Sequence, residues 1–245
     1  MKDFKGTTQS EDKMFKAIQR SIGAYANGWI GCQTMSDLAI KVGADCFPVT
    51  LEIYGMPTII AKDLELLDPN SSLSQHKNSM LGSFTYPRAT TPCSILVNNG
   101  EVVFGASCHA YTNKKPESVL YRLKNGKFGI KRCMFASELP KDVKWAFGGM
   151  GLLDFYDPVA EGFTGAYSDV LRRTDHTVIG VKNNMVFGVY MKSVTGSQVN
   201  NLCRDKFKFE YAVMGDGGGL AAINGAEGFA KIRTTIQQGY IAQFI

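Results

Sequence analysis

The residues best placed to do chemistry in this chain are Gly215-Asp216-Gly217-Gly218-Gly219, lying between the apolar runs YAVM and LAAI. Three successive glycines remove the β-carbons from a stretch of backbone, so a ligand can approach its N–H groups and positive φ costs little. The adjoining Asp216 adds a carboxylate at the lip of the same turn. This combination suits a sugar hydroxyl, a phosphate or a metal, and equally a tight inter-strand turn with a capping Asp. It is neither a dinucleotide fingerprint nor a P-loop, because GxGxxG and GxxxxGK[ST] both fail here. Cys108-His109 invites a Cys–His nucleophile reading, but neighbours on a strand face opposite ways, so a buried cysteine is the simpler expectation. His76 falls in a polar stretch and is expected to be solvated. The three histidines show no i,i+4 pair, so no metal site is read. No cofactor is expected; a structural calcium could be held by loop carboxylates and carbonyls, but the sequence does not place one.

Composition narrows the class. The chain has 245 residues, 44% hydrophobic and 20% charged, with 26 glycines and 8 prolines; this is globular usage, not disorder or a fibrous repeat. The six cysteines are scattered without a CxxC pair, which fits reduced thiols rather than a zinc knuckle. The polar start MKDFKGTTQSEDKMFK lacks the apolar core of a signal peptide, so a cytoplasmic or virion-associated location is expected, with no membrane span. Net charge is +5, yet residues 114–144 hold nine Lys/Arg against three Asp/Glu. With Tyr121, Phe128, Phe135 and Trp145 interleaved, this segment could contact nucleic acid. Hairpin alternation instead puts Leu120, Phe128 and Ile130 inward and the lysines outward, a solvated face. Nucleic acid is therefore not the expected partner; the segment could equally attract a phosphorylated glycan or nucleotide, rimming a pocket if the fold places it there.

These residues need a scaffold, and its elements are readable. Met14, Phe15, Ile18, Ile22 and Tyr25 keep one helical face after the N-cap candidate Ser10, and Asn27-Gly28 stops it. A short helix is expected over Ser36 to Val42, with Gly43 beyond it. After Gly43 the pattern turns to strands: CFPVTLEIYG, PTIIA, and three hairpins, SILV-NN-GEVVFG, VLYRL-KNGK-FGIKR and HTVIGVK-NN-MVFGVYMK. Leu67 to Arg88 reads as a long loop. A helix is expected over Ser197 to Lys206, and IRTTIQQ and YIAQFI as closing strands. The fold class is α+β: one strand-rich domain over 36–245 with short packing helices, preceded by an N-terminal helical extension over 1–35.

Over roughly Trp145 to Gly225, the order WAFGGMGLLDF, DHTVIGVKNN-MVFGVYM, the helix SQVNNLCRDKF and YAVMGDGGGLAAING resembles the phosphodiester glycosidase family (N-acetylglucosamine-1-phosphodiester alpha-N-acetylglucosaminidase-like domains), as a divergent member. That family shows a glycine pair, an Arg-Thr-Ala-Ile-Gly strand, a helix and a strand ending in Asp-Gly-Gly-Gly-Ser. Here His176-Thr177 stands where the family has Arg-Thr, Arg173 lies three residues upstream, and Leu220 replaces the final serine. The early Asn-Gly-Gly-Phe-Phe signature is missing, and Asp45-Cys46-Phe47-Pro48 stands in its place.

The resemblance implies hydrolysis or binding of a sugar-1-phosphate diester or a related phosphorylated sugar or nucleotide, through an oxocarbenium-like transition state. It assigns Asp216, His176 and Glu161 as catalytic residues, with Asp154 as another source of the second carboxylate. Gly148, Gly149, Arg173, Thr177, Gly217, Gly218 and Gly219 become ligand-binding residues, with Arg173 and His176 on the phosphate. A histidine cannot reproduce the bidentate bonds of an arginine. The competing expectation is thus a binding protein of the same fold that has lost the chemistry, such as a phage virion component or a ligand-sequestering protein.

Overall fold

The computed structural model describes residues 4–5, 16, 19, 29–30, 48–67, 73–82, 84, 91–225, 230–231 and 241–245. Of the helix expected after Ser10, Lys16 and Gln19 are described and both are helical; the helix expected over Ser36 to Val42, most of the 1–35 extension and the IRTTIQQ strand lie outside these residues. Strands follow in order: β1 Phe4–Lys5, β2 Trp29–Ile30, β3 Val49–Ile53, β4 Met56–Ala61, β5 Leu64–Leu67, β6 Ser79–Leu81, β7 Leu96–Asn98 and β8 Glu101–Phe104. They continue as β9 Glu117–Leu123, β10 Phe128–Cys133, β11 Val143–Gly151, β12 Thr174–Lys182, β13 Met185–Val194, β14 Tyr211–Gly217, β15 Ala222–Asn224, β16 Ala230–Lys231 and β17 Ile241–Phe244.

Three hairpins form where the sequence offers cheap positive φ. Asn99-Gly100 joins β7 to β8 and Asn183-Asn184 joins β12 to β13, with φ of 49° and 86°, and 51° and 59°. Both-positive pairs make the turn whose twist matches the flanking strands. Tyr54-Gly55 does the same between β3 and β4. The β9–β10 hairpin closes around Gly126.

A ten-stranded sheet runs β10-β9-β11-β14-β12-β13-β4-β3, with β7 also on β11 and β8 on β7. A five-stranded sheet runs β16-β15-β6-β17-β5, and every pairing is antiparallel. Side chains alternate across the large sheet as strand geometry requires. Ile179, Val181, Val186 and Val213 face a core shared with Met80, Ile223 and Phe244 of the small sheet. Val178, Val189, Met191, Ala212 and Met214 face a second core, closed by Val199, Cys203 and Phe207. Glycines make room on both faces: a β-carbon at Gly188 would overlap the Phe244 ring, and one at Gly180 the Phe209 ring.

The second core is capped by α1, Gly196–Asn201, continued as a π-helical turn over Leu202–Phe207. Thr195 Oγ accepts from Gln198 N–H at 3.3 Å, while Gln198 Oε1 accepts from Thr195 N–H at 2.9 Å, a reciprocal cap. Beyond this and the helical residues Lys16 and Gln19, only short 3-10 segments occur among the described residues, Gly165–Leu171 being the longest. The architecture is mostly β, with less helix than the α+β expectation; the apolar faces are buried sheet against sheet. No helix among the described residues is long and apolar enough to cross a membrane.

Candidate functional site

Asp216 sits where β14 leaves regular pairing. Val178 faces Met214, but His176 faces Gly217, so two steps along β12 match three along β14. The extra residue is a bulge, which bends a strand and re-aims a side chain. The backbone of residue 82 lies directly over Gly215: a β-carbon there would overlap the Gly82 carbonyl oxygen, which accepts from Asp216 N–H at 3.3 Å. Thr177 Oγ donates to the Asp216 carbonyl at 3.2 Å, and Asp216 Oδ1 accepts from Gly217 N–H at 2.8 Å. Gly218 then turns the chain with φ of 63°. Only a residue without a β-carbon takes that conformation freely.

This turn forms one wall of a cavity of about 570 Å³, lined by Asp216 to Leu220 together with Phe84, Cys93, Phe163 and Thr174. The segment from Ala166 to Arg172 contributes Tyr167, Asp169, Val170 and Arg172, and a turn at 108–112 contributes Cys108, His109, Tyr111 and Thr112. Arg172 is exposed, and its Nη2 lies 3.9 Å from where a β-carbon on Gly218 would stand. Tyr111, 77% exposed, and Tyr167, 42% exposed, supply aromatic faces at the rim. His109 packs edge-on to Phe163 and Tyr167 at 5.0 and 4.7 Å, with Nδ1 2.8 Å from the Glu161 carbonyl.

The sequence-assigned residues divide into layers. Asp216, Gly217, Gly218 and Gly219 line the cavity. Thr177 and His176 lie one layer beneath, both fully buried. His176 Nε2 faces the Val194 and Arg172 carbonyls at 3.1 and 3.4 Å, which places its proton there. Its Nδ1 is buried without a partner among the described residues, and burial lowers the pKa and keeps the ring neutral.

Glu161 is fully buried away from the lining. Its carboxylate accepts from Ser118 Oγ at 2.5 Å, Gly151 N–H at 2.9 Å and Arg132 Nε at 3.2 Å. Burial raises its pKa against those three donors. Gly148 and Gly149 sit inside β11, where β-carbons would run into the Glu117 carboxylate and the Met214 carbonyl; their smallness serves strand packing. Arg173 turns away and donates to the Ser193 carbonyl at 2.8 Å, while its neighbour Arg172 faces the cavity. Asp154 is exposed and outside the lining.

Two expectations change. Cys108 and His109 are not on a strand but in a turn, with Ala110 N–H on the Ser107 carbonyl at 3.1 Å, so both line the cavity. The basic hairpin β9–β10 does not rim the cavity; no cation of residues 114–144 lines it. Several of those cations are committed to carboxylates: Arg122 to Asp63 at 2.8 Å, Lys144 also to Asp63, and Arg132 to Glu161. The hairpin does bury Leu120, with Phe128 and Ile130 half-buried. Among the described residues no three His, Cys, Asp or Glu side chains converge as a metal site.

No protein-family model and no curated protein sequence matches the chain. Its fold does have solved counterparts. The catalytic domain of zebrafish N-acetylglucosamine-1-phosphodiester alpha-N-acetylglucosaminidase, auto-inhibited by its pro-peptide, superposes with a TM-score of 0.55 over 81% of each chain. The identity is 12%. This is a distant relationship of fold, not family membership. A hypothetical protein from Synechocystis is also similar, with a TM-score of 0.45 and 11% identity over 79% of this chain and 60% of that one.

Proposed function

We propose that the cavity beside Asp216 binds a phosphorylated sugar or nucleotide and hydrolyses its glycosyl-phosphate bond. The reading is carried by one observation: Arg172 and the Asp216 to Gly219 turn share one wall of a cavity whose rim is aromatic. A guanidinium makes bidentate, charge-assisted bonds to phosphate. Tyr111 and Tyr167 offer flat faces against which a sugar or base can lie. Asp216 then stands beside the bound phosphate as the carboxylate at the reacting carbon, where it protonates the leaving oxygen or stabilises positive charge. Asp169, on the same lining segment as Arg172, is the second carboxylate that lines the cavity. The fold likeness to a phosphodiester glycosidase supports this chemistry.

The second reading, binding without turnover, is favoured by the burial of Glu161, whose carboxylate is committed to Ser118, Gly151 and Arg132. One set of measurements separates the two. Thermal shift with sugar phosphates and nucleotides reads binding through mass action, and release from an activated sugar phosphodiester reads turnover. Loss of charge-assisted bonds worth about 1.5–3 kcal/mol predicts that Arg172→Ala binds roughly 10- to 100-fold more weakly. Arg173→Ala should bind unchanged. Asp216→Ala should keep binding and lose turnover. Binding with background turnover in the native protein selects the second reading; no binding by any of these ligands overturns both.

A further inference from the structure

Cys93 and Cys108 take no part in the chemistry above, yet their sulfur atoms lie 3.7 Å apart and both line the cavity. Their approach is built into the backbone. Cys93 N–H donates to the Phe84 carbonyl at 2.9 Å. Cys108 N–H donates at 3.2 Å to Glu117, which also accepts from Ser94 Oγ at 2.8 Å and Ile95 N–H at 2.5 Å. One buried carboxylate therefore ties the segment following Cys93 to the turn that carries Cys108. The other described cysteines differ in access: although Cys93 shares an apolar core with Cys203, Cys133 and Cys203 are fully buried outside the cavity lining. Burial pushes both thiols up, Cys133 to about 11. Such thiols are inert, whereas a pair open to a cavity can meet a small reagent.

We propose that Cys93 and Cys108 form a dithiol that low-molecular-weight disulfides oxidise, through the cavity, to an internal disulfide. Cys108, which is half-buried, reacts first. Its thiolate attacks one sulfur of RSSR, forming a mixed disulfide and expelling RS⁻, which takes up the proton that Cys108 has lost. Cys93 then attacks the Cys108 sulfur, breaks its bond to SR and expels a second RS⁻, which takes the Cys93 proton. Two cysteines and RSSR become one cystine and two RSH, with two electrons passing to the small disulfide. The order follows from the pair itself. The hydrogen bond between the two sulfurs lowers the Cys108 thiol and raises that of Cys93. Closing to a disulfide bond of about 2.0 Å starts from sulfurs already in contact at 3.7 Å. The site then has a reduced form with two sulfurs on the cavity wall and an oxidised form with a covalent bridge.

The test uses the native chain, reduced, freed of reductant and incubated folded with oxidised glutathione. It is quenched in acid, alkylated and examined by intact mass and peptide mapping. The expected product has lost two hydrogen atoms, carries no glutathione, and maps to a Cys93–Cys108 cross-link. Cys93→Ser should accumulate one glutathione adduct at Cys108, and Cys108→Ser should react more slowly, since it keeps only the more deeply buried thiol. A persistent glutathione adduct at Cys93 or Cys108 of the native chain overturns the proposal. So does a cross-link to any other cysteine, or a pair still fully alkylated after the incubation. The native-chain result stands even where a variant fails to fold.

Discussion

Glu117→Gln keeps the shape of a wholly buried side chain and removes its ability to ionise. The native carboxyl is 1% exposed. Burial outweighs the donors from Ile95, Ser94 and Cys108 and pushes its pKa from 4.5 up to about 8. The folded protein therefore holds a proton that the unfolded chain has released at any pH between those values. By linkage, stability falls as pH rises through that window, by at most about 1.4 kcal/mol per pH unit. From 4.5 to about 8 this accumulates to on the order of 5 kcal/mol, fully present below the lower value and gone above the upper. Glutamine does not titrate, but its NH₂ replaces an acceptor and strands one backbone N–H, costing about 1–3 kcal/mol at every pH. Urea unfolding of both proteins at intervals from pH 5 to 9 should thus show the variant less stable in acid and more stable in alkali. The gap between the two isolates Glu117, since every other titrating group is shared. A gap that stays constant across the range would mean that the three donors keep the carboxylate ionised, and the argument from burial would fail.

Two further perturbations test the scaffold. Gly188→Ala drives a methyl into the Phe244 ring and should cost about 1–3 kcal/mol, while Phe244→Ala empties a fully buried site at about 3–5 kcal/mol. The double variant should lose less than the sum, because the methyl enters the vacated space; additive losses in urea unfolding would show that the two do not pack. At Asp63, burial acts to raise the pKa, but Lys144, Trp145 Nε1 and Arg122 prevail and hold it below 3.8. Its stabilisation is therefore present at neutral pH and lost as pH falls below 3.8 toward the folded value. Asp63→Asn should lower Tm at pH 7, and the gap from the native protein should close on acidification. A gap that widens in acid would contradict the assignment.

The parts of this fold legible in the sequence are those whose cause is local. Asn99-Gly100 and Asn183-Asn184 announce hairpins because few residues take positive φ cheaply, and Val199, Cys203 and Phe207 keep one face of a capped helix. The small sheet was legible only in part: YIAQFI reads as a strand, but its neighbour β6 does not. Ser79–Leu81 lies within a stretch whose Ser, Asn and Gly read as loop, and it becomes a strand only because β15 and β17 flank it. At the site, Asp216 and its glycines stood out by composition. Arg172, Asp169 and Tyr167 did not, since a 3-10 segment leaves no clear period to say which of Arg172 and Arg173 turns inward. Residue type marked Glu161 and His176 as chemistry, but type carries no information about depth.

The position of β17 governs how the molecule is assembled. Ile241 is register partner to both Leu67 and Leu81, so residues 241–244 are the inner strand that joins β5 to β6. Until they dock, those two strands present unpaired backbone edges, and the hollow at Gly188 has no ring to fill it. Closing so long a loop costs little extra free energy, because loop entropy grows only logarithmically, but non-local pairings form slowly. Any partly folded state formed before they dock leaves that apolar sheet face open. Refolding yield is therefore a second property, beside the stability that buried Phe244 supplies, that changes in residues 241–244 would move.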